Sequence, residues 1–157
     1  MSKIIVAESA GFCFGVNRAI NILYKLIDEN KPACTLGPII HNMQMVNELR
    51  EKGVRTIDKI SEAKENETIV IRSHGVPQSI VDEINERHLD YIDATCPFVS
   101  KIHKIVSETD DDSIVIIAGD KNHPEVQGIM GHCKSKCYTF KNQEEPERSE
   151  ERFSRNA

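Results

Sequence analysis

The chain has 157 residues, of which 39% are hydrophobic and 29% charged, and this balance predicts a globular protein of about one domain's length. Its net charge of -5 argues against a general nucleic-acid surface, because no basic stripe is available to neutralise many phosphates. No apolar run approaches the roughly 18 residues of a membrane span, and the first residues lack the apolar core of a secretory signal. We therefore expect a cytoplasmic protein without nucleic-acid or membrane partners.

Short apolar runs alternate with helical patterns along most of the chain. The sequence predicts strands over residues 3–7, 34–36, 67–72, 89–94, 113–118 and 137–140. A helix that begins near Met43 is expected to end at Gly53, and Pro77 and Pro97 are suited to the first turn of later helices. This alternation favours an α/β fold with a mostly parallel sheet and right-handed crossovers.

Five potentially reactive side chains each follow a predicted strand: Cys13, His41, His74, Cys96 and His123. In open α/β sheets, ligands bind beyond the carboxyl ends of the strands, where loops and helix N-termini converge. We therefore expect these residues to lie at one edge of the sheet. His88 and His103 fall within predicted helices instead, and we interpret them as residues of solvated helix faces.

Cys13 and Cys96 have two interpretations. Free cysteine is among the most buried residue types, so each is compatible with a packing role. Each also stands where a helix begins, and the helix dipole favours the thiolate that attacks electrophiles or binds metal. Phe12 and Phe14 flank Cys13 and would keep water away from its ligand, which suits an iron-sulfur cluster. The other three of the five cysteines, Cys34, Cys133 and Cys137, are expected to pack at strand ends.

His41, His74 and His123 are each compatible with an ordinary loop histidine, but their equivalent positions favour a shared pocket. Histidines beside helix N-termini would bind a phosphate or diphosphate. A zinc site is the competing use of the same three side chains, with Glu125 as general base or fourth ligand. Glu125 is otherwise a solvated first-turn carboxylate or, if enclosed, a proton donor. Asn42, Ser73 and Asn122 are candidate extra donors, and Asp120 is expected to cap or turn the chain.

Five motifs in order, AGFCFGV, LGPIIHN, RSHGV, DATCP and NHPEVQG, closely resemble the N-terminal half of the 4-hydroxy-3-methylbut-2-enyl diphosphate reductase family. The resemblance implies three α/β domains with pseudo-threefold symmetry around an iron-sulfur cluster of the [4Fe-4S] type, with one cysteine from each domain. It implies reductive removal of a hydroxyl group to give isopentenyl and dimethylallyl diphosphate, with electrons from a ferredoxin- or flavodoxin-like protein. By resemblance, the cluster ligands are Cys13 and Cys96, the diphosphate ligands are His41, His74 and His123, and Glu125 relays protons.

The resemblance divides the chain into a first α/β domain over residues 1–95, part of a second over residues 96–141, and a polar tail over residues 142–157 that we expect to be disordered. The family's third cluster cysteine, its relay threonine and its Ser/Asn segment have no counterpart here. We therefore expect the chain to be an inactive fragment by itself. The alternatives are a diphosphate-binding α/β module without a complete cluster and a zinc hydrolase that uses the three histidines and Glu125.

Overall fold

The computed structural model describes residues 3–8 and 10–141, and the tail predicted over residues 142–157 lies outside this part. Six strands alternate with five α-helices in the described residues. The strands are β1 (Ala33–Leu36), β2 (Arg55–Ile57), β3 (Thr68–Ile71), β4 (Tyr91–Asp93), β5 (Ile114–Ala118) and β6 (Lys136–Phe140). The helices are α1 (Phe14–Asp28), α2 (Met43–Glu51), α3 (Gln78–Glu86), α4 (Pro97–Ser107) and α5 (Pro124–Met130), with a 3-10 turn at Ile60–Glu62.

The strands form two parallel sheets. Four of them are arranged in the order β2-β1-β3-β4, and β5 pairs with β6 separately. The α/β class and the parallel pairing are therefore confirmed. The larger sheet ends with β4 and the smaller sheet begins with β5, so the chain passes from one sheet to the other close to the domain boundary expected at residue 95. That division of the chain into domains stays a prediction.

The core lies on both faces of the larger sheet. Strands β1 and β3 are buried almost completely, as parallel strands covered by helices usually are. Val70 packs on the side of α1 with Leu23, whereas Ile69 and Ile71 pack on the side of α3 with Ile84. This packing fixes the carboxyl ends of β1 and β3, from which the loops of the site emerge.

The strand predicted over residues 3–7 is wrong for the described part of the chain. Ile4, Ile5 and Val6 are 88%, 78% and 73% exposed, and no strand is formed there. Their β-branched composition favours extended backbone, but a strand also needs a neighbour to complete its hydrogen bonds. Strand β2 was not predicted, because only Ile57 of its three residues is buried and the apolar pattern is too short to detect.

No helix among residues 3–8 and 10–141 is long and apolar enough to cross a bilayer.

A buried carboxylate joins the edge strand β2 to the turn before β3. The Glu67 side chain is 5% exposed, and Arg55 Nη1 lies 2.9 and 2.7 Å from its two oxygens. The Lys64 backbone N–H also donates to Glu67 Oε2 at 3.0 Å. Burial alone would raise the pKa of Glu67, but the Lys64 N–H and the Arg55 guanidinium outweigh it and hold the pKa below its ordinary value.

We expect Arg55→Met to lower the free energy of unfolding by about 2 kcal/mol, because it leaves the Glu67 carboxylate buried without its counter-charge. Urea denaturation at neutral pH measures this loss. The difference from the parent chain should shrink below about pH 4, since a carboxyl group with a lowered pKa contributes stability above its unfolded-state pKa and loses it on acidification.

Arg87→Met is the matched control, because Arg87 pairs with Glu83 on an exposed face of α3. Such surface pairs contribute about 0.5 kcal/mol or less. Equal effects of the two substitutions would contradict the role given to the Arg55–Glu67 pair.

Candidate functional site

Three histidine rings meet above the carboxyl ends of β1, β3 and β5. His41 follows β1, His74 follows β3 and His123 follows β5. The ring centroids of His41 and His74 are 4.6 Å apart, and each of these rings is 6.1 Å from that of His123. His74 is half-buried, whereas His41 and His123 are exposed. The structure therefore brings together the three histidines that the sequence singled out.

His74 is the most buried of the three and is uncharged at neutral pH. Burial, followed by charge repulsion from His41, Arg72 and His123, lowers its pKa to about 4. Its Nδ1 atom is buried and has no hydrogen-bond partner. Such an atom costs free energy until a ligand or a water meets it. Together with the nearby Arg72 guanidinium, it makes this pocket suited to an anion.

The local structure at the start of α5 sets the tautomer of His123. Its Nδ1 atom accepts the backbone N–H of Glu125 at 3.2 Å and so caps the helix. A neutral ring that accepts at Nδ1 carries its proton on Nε2, which is then a donor. Glu125 lies half-buried in the first turn of the same helix, two residues from His123.

Cys13 and Cys96 are the N-cap residues of α1 and α4, and neither makes a side-chain hydrogen bond to its helix. The two helix starts are close together: a Cβ atom built on Gly15 would lie 2.6 Å from Cys96 Sγ. Glycine is thus required at position 15 for the Cys96 sulfur to stand beside α1. The structure therefore places the two cysteines at adjacent helix N-termini.

Hydrogen bonds tie the histidine loops to the cysteines. The N–H and the hydroxyl of Ser73 both donate to the Ile39 carbonyl, at 3.4 and 3.3 Å. The Ser73 carbonyl accepts the Cys96 N–H at 2.9 Å. Arg18 of α1 donates to the carbonyls of Thr95 and Asp93, at 3.2 and 3.1 Å, just before Cys96. The pocket and the thiols therefore belong to one connected edge of the fold.

Two of the predicted extra donors, Asn42 and Ser73, have structural partners within the fold, and Asp120 has the contacts of a turn residue. Asn42 Oδ1 accepts the Met45 N–H at 3.0 Å and caps α2. Asp120 accepts the Asn122 N–H at 2.9 Å and pairs with Lys141 at 2.8 Å, as expected of a turn residue. Ser73, which is buried, uses its hydroxyl to join two loops, as described above.

Two of the remaining cysteines, Cys34 and Cys133, are poor thiolates. Cys34 is fully buried in β1, and burial raises its pKa to about 11. Burial and a hydrogen bond with Cys137 raise the pKa of Cys133. Metal ligation requires the thiolate, so the environments of Cys34 and Cys133 do not favour it.

Cys13 and Cys96 fit two ligand positions of an iron-sulfur cluster, being unpartnered thiols at adjoining helix starts. Within residues 3–8 and 10–141, no three His, Cys, Asp or Glu side chains are arranged to hold a metal ion. This finding gives no support to the zinc site considered for the three histidines and Glu125.

The interpretation of His103 as a solvated residue is wrong, because it is only 8% exposed on α4. Its ring stacks on His132, with centroids 4.1 Å apart and planes at 23°. The helical spacing indicates this burial, because Val99 and Val106 lie four residues before and three residues after His103, on the same buried face of α4. His88 is exposed, as expected, just beyond the end of α3.

Comparison with known proteins gives one consistent result. The 4-hydroxy-3-methylbut-2-enyl diphosphate reductase of Alkaliphilus oremlandii is 40% identical over 149 residues, which are 93% of this chain and 53% of that protein. The protein of the same name from Trichlorobacter lovleyi is 46% identical over 139 residues, covering 87% of this chain and 49% of its own length.

Solved structures of reductases with this name superpose on the chain. One, described as the terminal enzyme of the non-mevalonate pathway, has a TM-score of 0.78 and 42% identity and covers 92% of this chain and 53% of its own. The reductase structure from Plasmodium falciparum has a TM-score of 0.81 and 27% identity, covering 90% of this chain and 45% of its own.

The chain spans about half the length of the curated relatives it matches. A model of the family described as LytB protein matches residues 4–155. The parallel α/β fold agrees with this match. The chain therefore belongs to the LytB protein family.

Proposed function

We propose that the chain forms the diphosphate pocket and supplies two of the cluster ligands of a 4-hydroxy-3-methylbut-2-enyl diphosphate reductase of isoprenoid biosynthesis. The observation that carries the proposal is the triangle of histidine rings, 4.6 to 6.1 Å apart, joined through Ser73 to Cys96. The reaction removes the substrate hydroxyl as water on uptake of two electrons and two protons, and gives isopentenyl or dimethylallyl diphosphate.

In this proposal the histidines hold the diphosphate. His123 donates through Nε2, because its Nδ1 is occupied in capping α5. The buried Nδ1 of His74 needs a partner, and a diphosphate oxygen provides one once that nitrogen is protonated. An anion at this place raises the pKa of His74, and proton uptake then strengthens the charge-assisted hydrogen bond.

Cys13 and Cys96 would hold the iron-sulfur cluster as thiolates from the starts of α1 and α4. When bound, such a cluster would supply electrons and Lewis acidity to the reaction. Phe12 and Phe14 flank Cys13 in the sequence and Phe98 follows Cys96 by two residues, and these side chains are 38%, 67% and 74% exposed. Their part is to limit the access of water to the reacting group.

Glu125 would keep a proton for the departing hydroxyl. It lies in the first turn of α5, two residues after His123, and is half-buried. A general acid must lie within hydrogen-bond reach of the group that it protonates, and this position places Glu125 beside the proposed diphosphate ligand His123. A ferredoxin- or flavodoxin-like electron donor and a cytoplasmic location complete the proposal.

Two cysteines cannot complete the cluster alone, since the described residues bring no third thiol beside them. We therefore propose that turnover needs a further ligand from outside the described residues. A diphosphate-binding module without a cluster is the second candidate, and the histidine pocket favours it equally. The two candidates differ in what the cysteines do, and the second experiment below separates them.

We expect the chain to bind inorganic pyrophosphate, and each of His41→Ala, His74→Ala and His123→Ala to weaken binding by about tenfold or more, because each removes a charge-assisted hydrogen bond. Isothermal titration calorimetry measures the affinity. Binding should tighten as the pH is lowered from 7 to 5, because a bound anion raises the pKa of His74 from about 4 and so takes up a proton.

His88→Asn serves as the control, because His88 is exposed and has a φ of 54°, which asparagine tolerates. It should leave the affinity unchanged. An affinity that ignores all three pocket substitutions would show that pyrophosphate binds elsewhere and would reject the proposed pocket.

We expect anaerobic reconstitution with iron and sulfide to give an iron-sulfur absorbance and EPR signal that Cys13→Ser and Cys96→Ser each abolish. Gly15→Ala should reduce the signal strongly, since the added methyl group would lie 2.6 Å from Cys96 Sγ. Asn21→Ala, at an exposed position of the same helix, and Cys137→Ser, which removes a thiol elsewhere, should leave it intact.

If pyrophosphate binds while no cluster signal ever forms, the second candidate is correct for this chain. If Cys137→Ser removes the signal while Cys13→Ser does not, the ligand assignment is wrong.

A further inference from the structure

His103 lies where three elements meet beneath the histidine pocket. It belongs to the buried face of α4, and its ring stacks on His132, which follows α5. His132 Nε2 in turn lies 3.1 Å from the Val76 carbonyl, in the segment that continues from His74. The His103 ring is therefore packed between the His74 loop and the helix that begins at His123.

Two glycines give this ring its place. A Cβ atom on Gly75 would lie 2.5 Å from His103 Cε1, and Gly75 has a φ of +75°, which other residues rarely adopt. A Cβ atom on Gly128 of α5 would lie 3.2 Å from His103 Nε2 and 3.5 Å from the His74 carbonyl oxygen. The edge of the imidazole thus fills the space between the loop and the helix, with no room for a larger group.

The His103 ring is uncharged at neutral pH. Burial, followed by repulsion from His132, lowers the pKa of His103 to about 4, although Asp93 opposes the shift. Its Nε2 atom is buried without a hydrogen-bond partner. An unpaired buried nitrogen costs free energy, and an apolar side chain of the same shape would avoid that cost. Stability alone therefore does not favour histidine at this position.

We propose that His103 is a positioning residue of the anion pocket: its flat ring sets the spacing between the His74 loop and α5, and thereby the separation of His74 from His123. The separation in question is the 6.1 Å between these two ring centroids. This inference rests on the proposed function, in which both histidines bind the same diphosphate. His103 itself touches no ligand and acts through its two neighbours.

His103→Ala tests the proposal in the full chain with two measurements. The affinity for inorganic pyrophosphate should fall about tenfold, as is common when a residue that orients ligand-binding side chains is removed. The Cε1–Hε1 NMR resonance of His74 should also shift in the absence of any ligand, because the loop moves relative to the rings of His41 and His123. Val106→Ala is the matched control, a truncation at another buried position of the same helix. It should lower the urea midpoint while leaving the affinity and the His74 resonance unchanged.

Gly128→Ala perturbs the same junction by crowding it, and it covers the case in which His103→Ala does not fold. It should weaken pyrophosphate binding and shift the His74 resonance, since its methyl group would press on His103 Nε2. In a His103→Ala background the methyl group keeps only an ordinary contact with the His74 carbonyl oxygen and should weaken binding no further. Gln127→Ala, at an exposed position of α5, is its control.

The proposal is overturned if the His74 resonance and the affinity stay at parent values in both His103→Ala and Gly128→Ala, or if Val106→Ala changes them equally. A parent chain that binds no pyrophosphate would refute the proposed function instead. In that event the ligand-free His74 resonance in the same variants still decides whether His103 positions the loop.

Discussion

The organisation of the site depends on the backbone and hydroxyl group of Ser73. Its two donors meet the single carbonyl of Ile39, and its own carbonyl receives the Cys96 N–H. Because Ser73 is buried, these bonds are shielded from water and their loss would leave unpaired polar groups in the interior. Ser73 thus joins the loops that bear His41, His74 and Cys96. The loops that bear the histidines and Cys96 are therefore joined by hydrogen bonds of the fold itself.

The five cysteines show how the fold assigns different chemistry to one residue type. Cys34 has hydrophobic neighbours on a central strand, so its thiol stays protonated. Cys13 and Cys96 are instead N-cap residues, where the free amides of a helix favour negative charge. Position relative to a helix start therefore separates candidate ligands from packing residues, and a sequence shows that position wherever a glycine loop or a proline marks the start.

The sequence predicted what depends on local pattern and missed what depends on distant partners. Helices α1 and α4 were predictable because their buried faces repeat at the helical period. Strands β1 and β3 were predictable as short continuous apolar runs, which are typical of strands buried on both faces. Residues 3–7 have the composition of a strand but no described neighbour to pair with, so composition misled there. The burial of His103 was not predicted, although its helical spacing from the buried Val99 and Val106 indicates it. Its stacking on His132 joins residues from different elements, and no local pattern shows such a contact.

The low pKa of His74 and the affinity proposed for its pocket have one physical origin. Burial and the neighbouring His41, Arg72 and His123 side chains disfavour a positive charge on the His74 ring. The His74 Nδ1 atom also has no hydrogen-bond partner that would compensate for its burial. A diphosphate supplies the missing negative charge and the missing acceptors together, so it reverses the sign of both effects. Because the His74 Nδ1 atom is already buried, binding of an anion there costs little further desolvation of this ring. The same burial that disfavours a proton on His74 therefore favours an anion that brings a hydrogen-bond acceptor.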